Sequence, residues 1–189
     1  MTADHEDSNV LGVTLPSEPI VAEELDVLAR VAELAVDVDV EAMAVIANVW
    51  RAAQAARAQL ERRVLRPEGV SWGGFSLLFN LWVSGPPHQM ETRALAVSIG
   101  CARPSVSSLC DTLERDGLIM RQSDAADRRL VRAALTPAGR HLIEQLFPRF
   151  NAGEAELVGG LSEEDRRLLA TLLRRLLHSV RAREPAGAP

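Results

Sequence analysis

The sequence predicts a mainly α fold: a winged helix-turn-helix with a two-stranded wing, set between long terminal helices that form a dimerisation domain. The rhythm of residues 95–117, LAVSIGCARPSVSSLCDTLERDG, gives the helix-turn-helix. It reads as a short helix, a turn at Gly100 and a second helix ending at Gly117. In the second helix Val106, Leu109, Cys110 and Leu113 fall at three- and four-residue steps, which puts them on one buried stripe. After Gly117 the period changes: residues 118–121 and 130–135 read as two strands around the polar loop 122–129, the pattern of a hairpin. Apolar stripes at helical spacing on both sides of this block supply the terminal helices.

Residues 1–18 hold Gly12, Pro16 and several acids with no sustained period, the composition of a flexible acidic arm. From Pro19 onward Val21, Leu25, Leu28, Val31 and Leu34 share one face and predict an amphipathic helix. After a break near Asp37 and Asp39, the residues Met43, Ile46, Ala47, Trp50, Ala53, Ala56, Leu60 and Val64 repeat at helical steps. A helix of about 25 residues, at roughly 1.5 Å each, is longer than one small domain covers, so part of this face is expected against a second copy of the chain. Pro67 and Gly69 end it. Ser71 is placed to cap a helix over residues 72–84 whose Phe75, Leu78, Phe79, Leu81 and Trp82 form a core face. Gly85, Pro86 and Pro87 close that helix, and residues 90–100 are expected to be the first helix of the helix-turn-helix.

Beyond the wing, Thr136 followed by Pro137 is a cap with proline in the first turn, opening a helix from residue 138 to about 157 that Pro148 should kink. Gly159 and Gly160 stop it. Ser162 to Asp165 then resembles a capping box for a last helix to about residue 183, striped by Leu168, Leu169, Leu172, Leu173, Leu176 and Leu177. The expected organisation is an arm 1–18, amino-terminal dimerisation helices 19–66, a winged helix-turn-helix domain 70–140, carboxy-terminal dimerisation helices 141–183 and a frayed tail 184–189.

A length of 189 residues suits one functional unit, and no run approaches the roughly 20 apolar residues of a membrane span. The acidic start lacks a basic and then apolar leader, so a cytoplasmic protein is expected. Two cysteines make no disulfide framework and four histidines show no metal-ligand spacing, so neither metal nor cofactor is expected. With no glycine-rich phosphate loop and no nucleophile elbow, the expectation is not an enzyme. The net charge of −5 is segregated: residues 1–40 hold ten acids and one Arg, the remainder 16 acids and 20 Arg. All 21 basic residues are arginine, whose planar fork suits phosphate, although a nucleotide-biased genome gives the same composition. Charge alone argues neither way.

The outward face of the second helix is more telling. Ser105, Ser108, Asp111, Thr112 and Arg115 point away from the apolar stripe, with Arg103 and Pro104 at the entrance and Ser107 on the flank. Short hydroxyls and guanidinium groups there suit a major groove, Arg103 positioning the helix on the backbone while the serines reach bases or phosphates. Ordinary capping and solvation would use the same serines. In the hairpin, Asp127 lies two residues before Arg129 and can hold the loop by an ion pair while an arginine at the tip enters the minor groove.

In order and spacing, the LAxxxGxxxPSxS-type core at 95–107, the LERDGLI corner at 113–119, Asp127-Arg128-Arg129, the LTPAGR exit at 135–140 and LSEE at 161–164 resemble the MarR family of bacterial transcriptional regulators, over about residues 40–177. The resemblance implies a homodimeric, sequence-specific DNA-binding regulator, a repressor at a pseudo-palindromic operator, with affinity modulated by a small aromatic or phenolic ligand. It implies DNA contacts by Arg103, Pro104, Ser105, Ser107, Ser108, Thr112 and Arg115, with Asp127 and Arg128 in the wing and Arg129 inserted into the minor groove. Many relatives carry arginine where this chain has Ser108 and Thr112.

The extra amino-terminal helix and the run GVSWGGFSLLFNLWVSGPP resemble the branch that includes urate-responsive and PecS-type regulators. Its urate contacts are mostly absent here: there is no Trp before Trp50, Ser76 stands where the branch has Asp, and only Arg121 matches one of its arginines. A ligand pocket needs apolar walls and a few polar anchors, for which the candidates are Trp50, Arg51, Trp72, Phe75, Ser76, Trp82 and Arg121. The same aromatics at helical spacing also suit a core. Two other readings are a redox-responsive regulator using Cys101 and Cys110, and a winged-helix docking module that binds no DNA.

Overall fold

In the computed structural model, residues 9–10, 13–14, 27, 29–31, 38–123 and 130–183 are described, and the chain divides into two compact units, Met1–Gln54 and Ala55–Pro189. In the first unit, within the arm expected to be flexible, β1 (Asn9–Val10) pairs antiparallel with β2 (Val13–Thr14). The long helix α1 (Val40–Leu60) opens on Asp39, whose carboxylate accepts from the Ala42 N–H at 2.9 Å. That bond satisfies one of the donors a helix start leaves open, and it explains why a helix begins just after Asp39. On this helix Val45, Ile46, Val49 and Trp50 are exposed.

The second unit begins with the end of α1, a π-helical segment Glu61–Leu65 and a tight 3-10 turn Arg66–Glu68. Next comes α2 (Trp72–Val83), capped by Ser71, whose hydroxyl accepts from the Gly74 N–H at 3.1 Å. Phe75, Leu78 and Leu81 are buried as the periodicity predicts, and so is Leu77. A helix apolar nearly all round can only sit centrally. Around it pack α3 (Thr92–Ile99), α4 (Arg103–Arg115), the sheet, and α5 (Pro137–Leu157), with Leu95, Val106, Cys110, Ile143 and Leu146 almost fully buried. Each leucine or isoleucine so buried contributes about 1.5–3 kcal/mol relative to exposure, which fixes the helix-turn-helix against α2.

One boundary differs from the expectation. Met90 does not start a helix: β3 (Gln89–Glu91) is a strand, and α3 begins only at Thr92. The two strands of the wing hairpin, β4 (Ile119–Ser123) and β5 (Val131–Leu135), therefore gain a third, in the order β3-β5-β4, with Met90 opposite Ala133. A two-stranded hairpin would leave one edge of β5 with open backbone groups, and three residues of extended chain satisfy them better than one more helical turn would.

After the sheet, Thr136 caps α5 as predicted, its hydroxyl accepting from the Gly139 N–H at 3.0 Å. The helix runs through Pro148 without a break in its span. The last helix, α6 (Glu163–Ala182), is capped by Ser162, which accepts from the Asp165 N–H at 3.1 Å. None of its residues is buried, and Leu168, Leu169, Leu172, Leu173 and Leu177 are all exposed in the single chain.

Candidate nucleic-acid interface

The helix-turn-helix is made by Gly100, whose φ of 65° is the left-handed conformation that ends α3 and lets the chain reverse into α4. Helix α4 starts at Arg103 with Pro104 in its first turn, a residue that has no N–H to leave unsatisfied. Val106, Cys110 and Leu113 are buried on one side. Arg103, Pro104, Ser105, Ser107, Ser108, Asp111, Thr112 and Arg115 are exposed on the other, as the spacing predicts.

The exposed hydroxyls are not equivalent. Ser108 donates to the Pro104 carbonyl at 3.2 Å and Thr112 to the Ser108 carbonyl at 3.1 Å, while Arg115 donates to Thr112 Oγ1 at 3.0 Å. The Ser105 and Ser107 hydroxyls make no hydrogen bond to another described residue. The first pair thus offers lone pairs outward, whereas Ser105 and Ser107 can donate as well as accept.

Arg121, on β4, binds back to α4. Its backbone N–H donates to Glu114 Oε1 at 2.9 Å, its Nε and Nη2 to Glu114 Oε2 at 2.9 and 2.6 Å, and Nη2 also pairs with Asp111 Oδ1 at 2.7 Å. These hydrogen bonds hold the Glu114 carboxyl below its usual range and raise the Arg121 guanidinium, so both stay ionised at neutral pH. At the other end of the sheet the Thr136 hydroxyl donates toward the Gly117 and Leu118 carbonyls, at 2.7 and 3.0 Å. Helix α4, the strands β4 and β5 and the start of α5 are therefore bonded to one another.

A concave surface of about 430 Å³ lies beside α4, with Arg93, Arg103, Ser107, Cys110, Arg121 and Leu130 in its lining. A second, of about 260 Å³, lies between the end of α1 and α5 and includes Leu60, Arg63, Gly153 and Glu156. The candidate ligand residues do not gather in either. Phe75 is buried and stacks on Phe79 and Phe150; Trp72 tilts against Phe150, and Trp82 against Phe79 and Phe147. Arg57 sits over the Trp72 ring at 5.5 Å. The aromatic stripe is thus largely core. The Ser76 carbonyl accepts from Asn80, and Arg121 lines the first cavity, away from these rings. Trp50 and Arg51 belong to the first unit, Trp50 exposed and Arg51 donating to Asn48 at 2.8 Å.

Cys101 is exposed and Cys110 buried, its thiol pKa pushed up by burial, which disfavours the reactive thiolate. Asp127, Arg128 and Arg129 lie outside the described residues. Among the described residues no helix is long and apolar enough to cross a membrane.

The sequence profile of the MarR family matches residues 70–131, from the cap of α2 to the start of β5. A helix-turn-helix-type transcriptional regulator of Bacillus subtilis (strain 168), YwaE, is 36% identical over 159 residues, spanning 84% of this chain and 91% of that protein. The chain belongs to the MarR family. Among solved MarR-family structures, Sco3205 from Streptomyces coelicolor in complex with DNA shares the fold, with a TM-score of 0.69, 22% identity and coverage of 80% of this chain and 92% of that one. Bordetella bronchiseptica BpsR, whose DNA binding is regulated by 6-hydroxynicotinic acid, matches with a TM-score of 0.63, 25% identity and coverage of 70% and 97%. As a MarR-family transcriptional regulator this protein binds DNA.

Two features of this MarR winged helix escape the linear sequence. Glu114 is absent from any list of outward residues because it follows an apolar Leu113 and precedes an obvious cation, Arg115. Its role is set by a strand seven residues on, and the only available signal was the short LERDGLIMR corner that forces such a return. The hydroxyl of Thr136 likewise has a second function, across to Gly117 and Leu118, that a capping pattern does not announce.

Proposed function

We propose that two copies of the chain pair through the leucine face of α6 and present two α4 helices to a pseudo-palindromic operator, repressing transcription when bound. The observation that carries this reading is the exposed cationic and hydroxyl face of α4, fixed to the wing through Arg121. Arg103 takes a backbone phosphate near the helix start, where the helix dipole adds to its charge. Ser105 and Ser107 meet base or phosphate acceptors, and Ser108 and Thr112, already donating, accept from base amino groups. Pro104 sets the approach of the helix start, and Arg115 reaches phosphate at its far end. In the wing, Arg129 enters the minor groove, Arg128 contacts phosphate and Asp127 holds the hairpin.

DNA affinity responds to a small aromatic or phenolic effector. Support comes from BpsR, regulated by 6-hydroxynicotinic acid. The half-buried Trp72 and Trp82 are better placed for contact than the buried Phe75.

The test is a duplex recovered from a random pool by selection on the full chain, with affinity followed by fluorescence anisotropy. Binding should weaken by roughly 10³–10⁵ between 50 and 200 mM salt if six to ten phosphates are contacted. Arg129→Ala should weaken it about tenfold or more while leaving the oligomeric state unchanged. Salt-independent binding, or an unaltered affinity of Arg129→Ala, would refute the reading.

A further inference from the structure

Helix α4 carries two carboxylates, Asp111 and Glu114, one turn apart in its last turns. Both are badly placed for their own helix, whose carboxyl-terminal end repels negative charge, and for a neighbouring polyanion. Their placement makes sense only through Arg121. Three donors from that one residue fill both oxygens of Glu114, and the same guanidinium nitrogen that bonds Glu114 also reaches Asp111. A single point contact would let β4 pivot, whereas a backbone bond together with a forked side chain sets both distance and orientation. The Arg121–Glu114 pair is also partly buried, at 29% exposure for the Arg121 side chain and 37% for that of Glu114, so it is not a loose surface encounter, while Asp111 is the more exposed partner at 61%.

We propose that Arg121 is a positioning residue for operator binding: by clamping Asp111 and Glu114 it fixes the wing strand against the recognition helix, so that both grooves are engaged by one rigid body. The inference rests on the DNA-binding reading of α4 and the wing. It assigns Arg121 to the helix–wing joint and not to an effector.

Charge removal separates this role from simple electrostatics. Glu114→Gln deletes a negative charge from a DNA-facing unit, so a purely electrostatic account has it bind DNA as well as or better than the parent. The clamp predicts the opposite for specific DNA, because all three partners of Glu114 are donors and an amide can accept on one side only. Full-length wild-type, Glu114→Gln, Arg121→Gln and the double variant are compared on the selected duplex and on a scrambled duplex, with thermal melts confirming that each is folded.

The expected result is about a tenfold loss on the selected duplex for each single variant. The double variant should be no weaker than either single one, and Glu114→Gln should bind the scrambled duplex undiminished. Selected-duplex affinity of Glu114→Gln equal to or above wild type overturns the clamp, as do additive losses in the double variant. Failure of the wild-type protein to enrich any duplex removes the reading of α4 and the wing as an operator-binding surface, and the clamp with it.

Discussion

At the scale of single residues, the joint between the three-stranded sheet and α5 depends on an absent side chain. A Cβ on Gly139 would lie 1.9 Å from the Leu118 carbonyl oxygen, which already accepts from the Thr136 hydroxyl and backbone. Backbone cannot yield as a side-chain tip can, so Gly139→Ala should cost about 1–3 kcal/mol, the range for overpacking a tight site. Urea denaturation measures it, with Gly160→Ala as the control: nothing lies within 4 Å of a Cβ there. Equal midpoints for the two variants would show that the α5 start has room to move. Both glycines look alike in the sequence. Only the close return of the chain after Gly117 distinguishes them.

At the scale of elements, α6 has a cap and a leucine stripe, and none of its residues is buried by the described residues. Leaving this many leucines in water costs more than burying them against a second copy, since each buried leucine contributes about 1.5–3 kcal/mol. The double variant Leu169→Glu/Leu173→Glu, one helical turn apart, should convert dimer to monomer in sedimentation velocity at micromolar concentration while retaining helical circular dichroism. An unchanged sedimentation coefficient would remove α6 from the interface.

The legibility of each element followed how local its cause was. Caps at Ser71, Thr136 and Ser162, the buried stripe of α4 and the turn at Gly100 are decided within four residues and were readable. The strand Gln89–Glu91 was not, because its reason for being extended is the open edge of β5, more than forty residues later. The exposure of the candidate DNA face was readable for the same reason as the caps, helix periodicity. The candidate ligand residues were not, because an aromatic stripe looks the same whether it lines a pocket or packs on Phe147 and Phe150, as Trp72, Phe75 and Trp82 do.

At the scale of the whole molecule, a chain of net charge −5 binds DNA because field strength near a surface depends on local charge, screened beyond about 8–10 Å at physiological salt. Ten of the 26 acids lie in residues 1–40, outside the helix-turn-helix and wing, and over residues 70–140 eight arginines face six acids, a small local excess of positive charge. One recognition helix covers too few bases for high specificity; two copies on one duplex multiply the contacts and impose the symmetry of the site. The decisive measurement is therefore the mass of the protein–duplex complex, by sedimentation equilibrium or light scattering on the selected duplex. Two chains per duplex, over a site with twofold-related halves about one helical turn apart, is the predicted result. One chain per duplex, or a site without related halves, would contradict it.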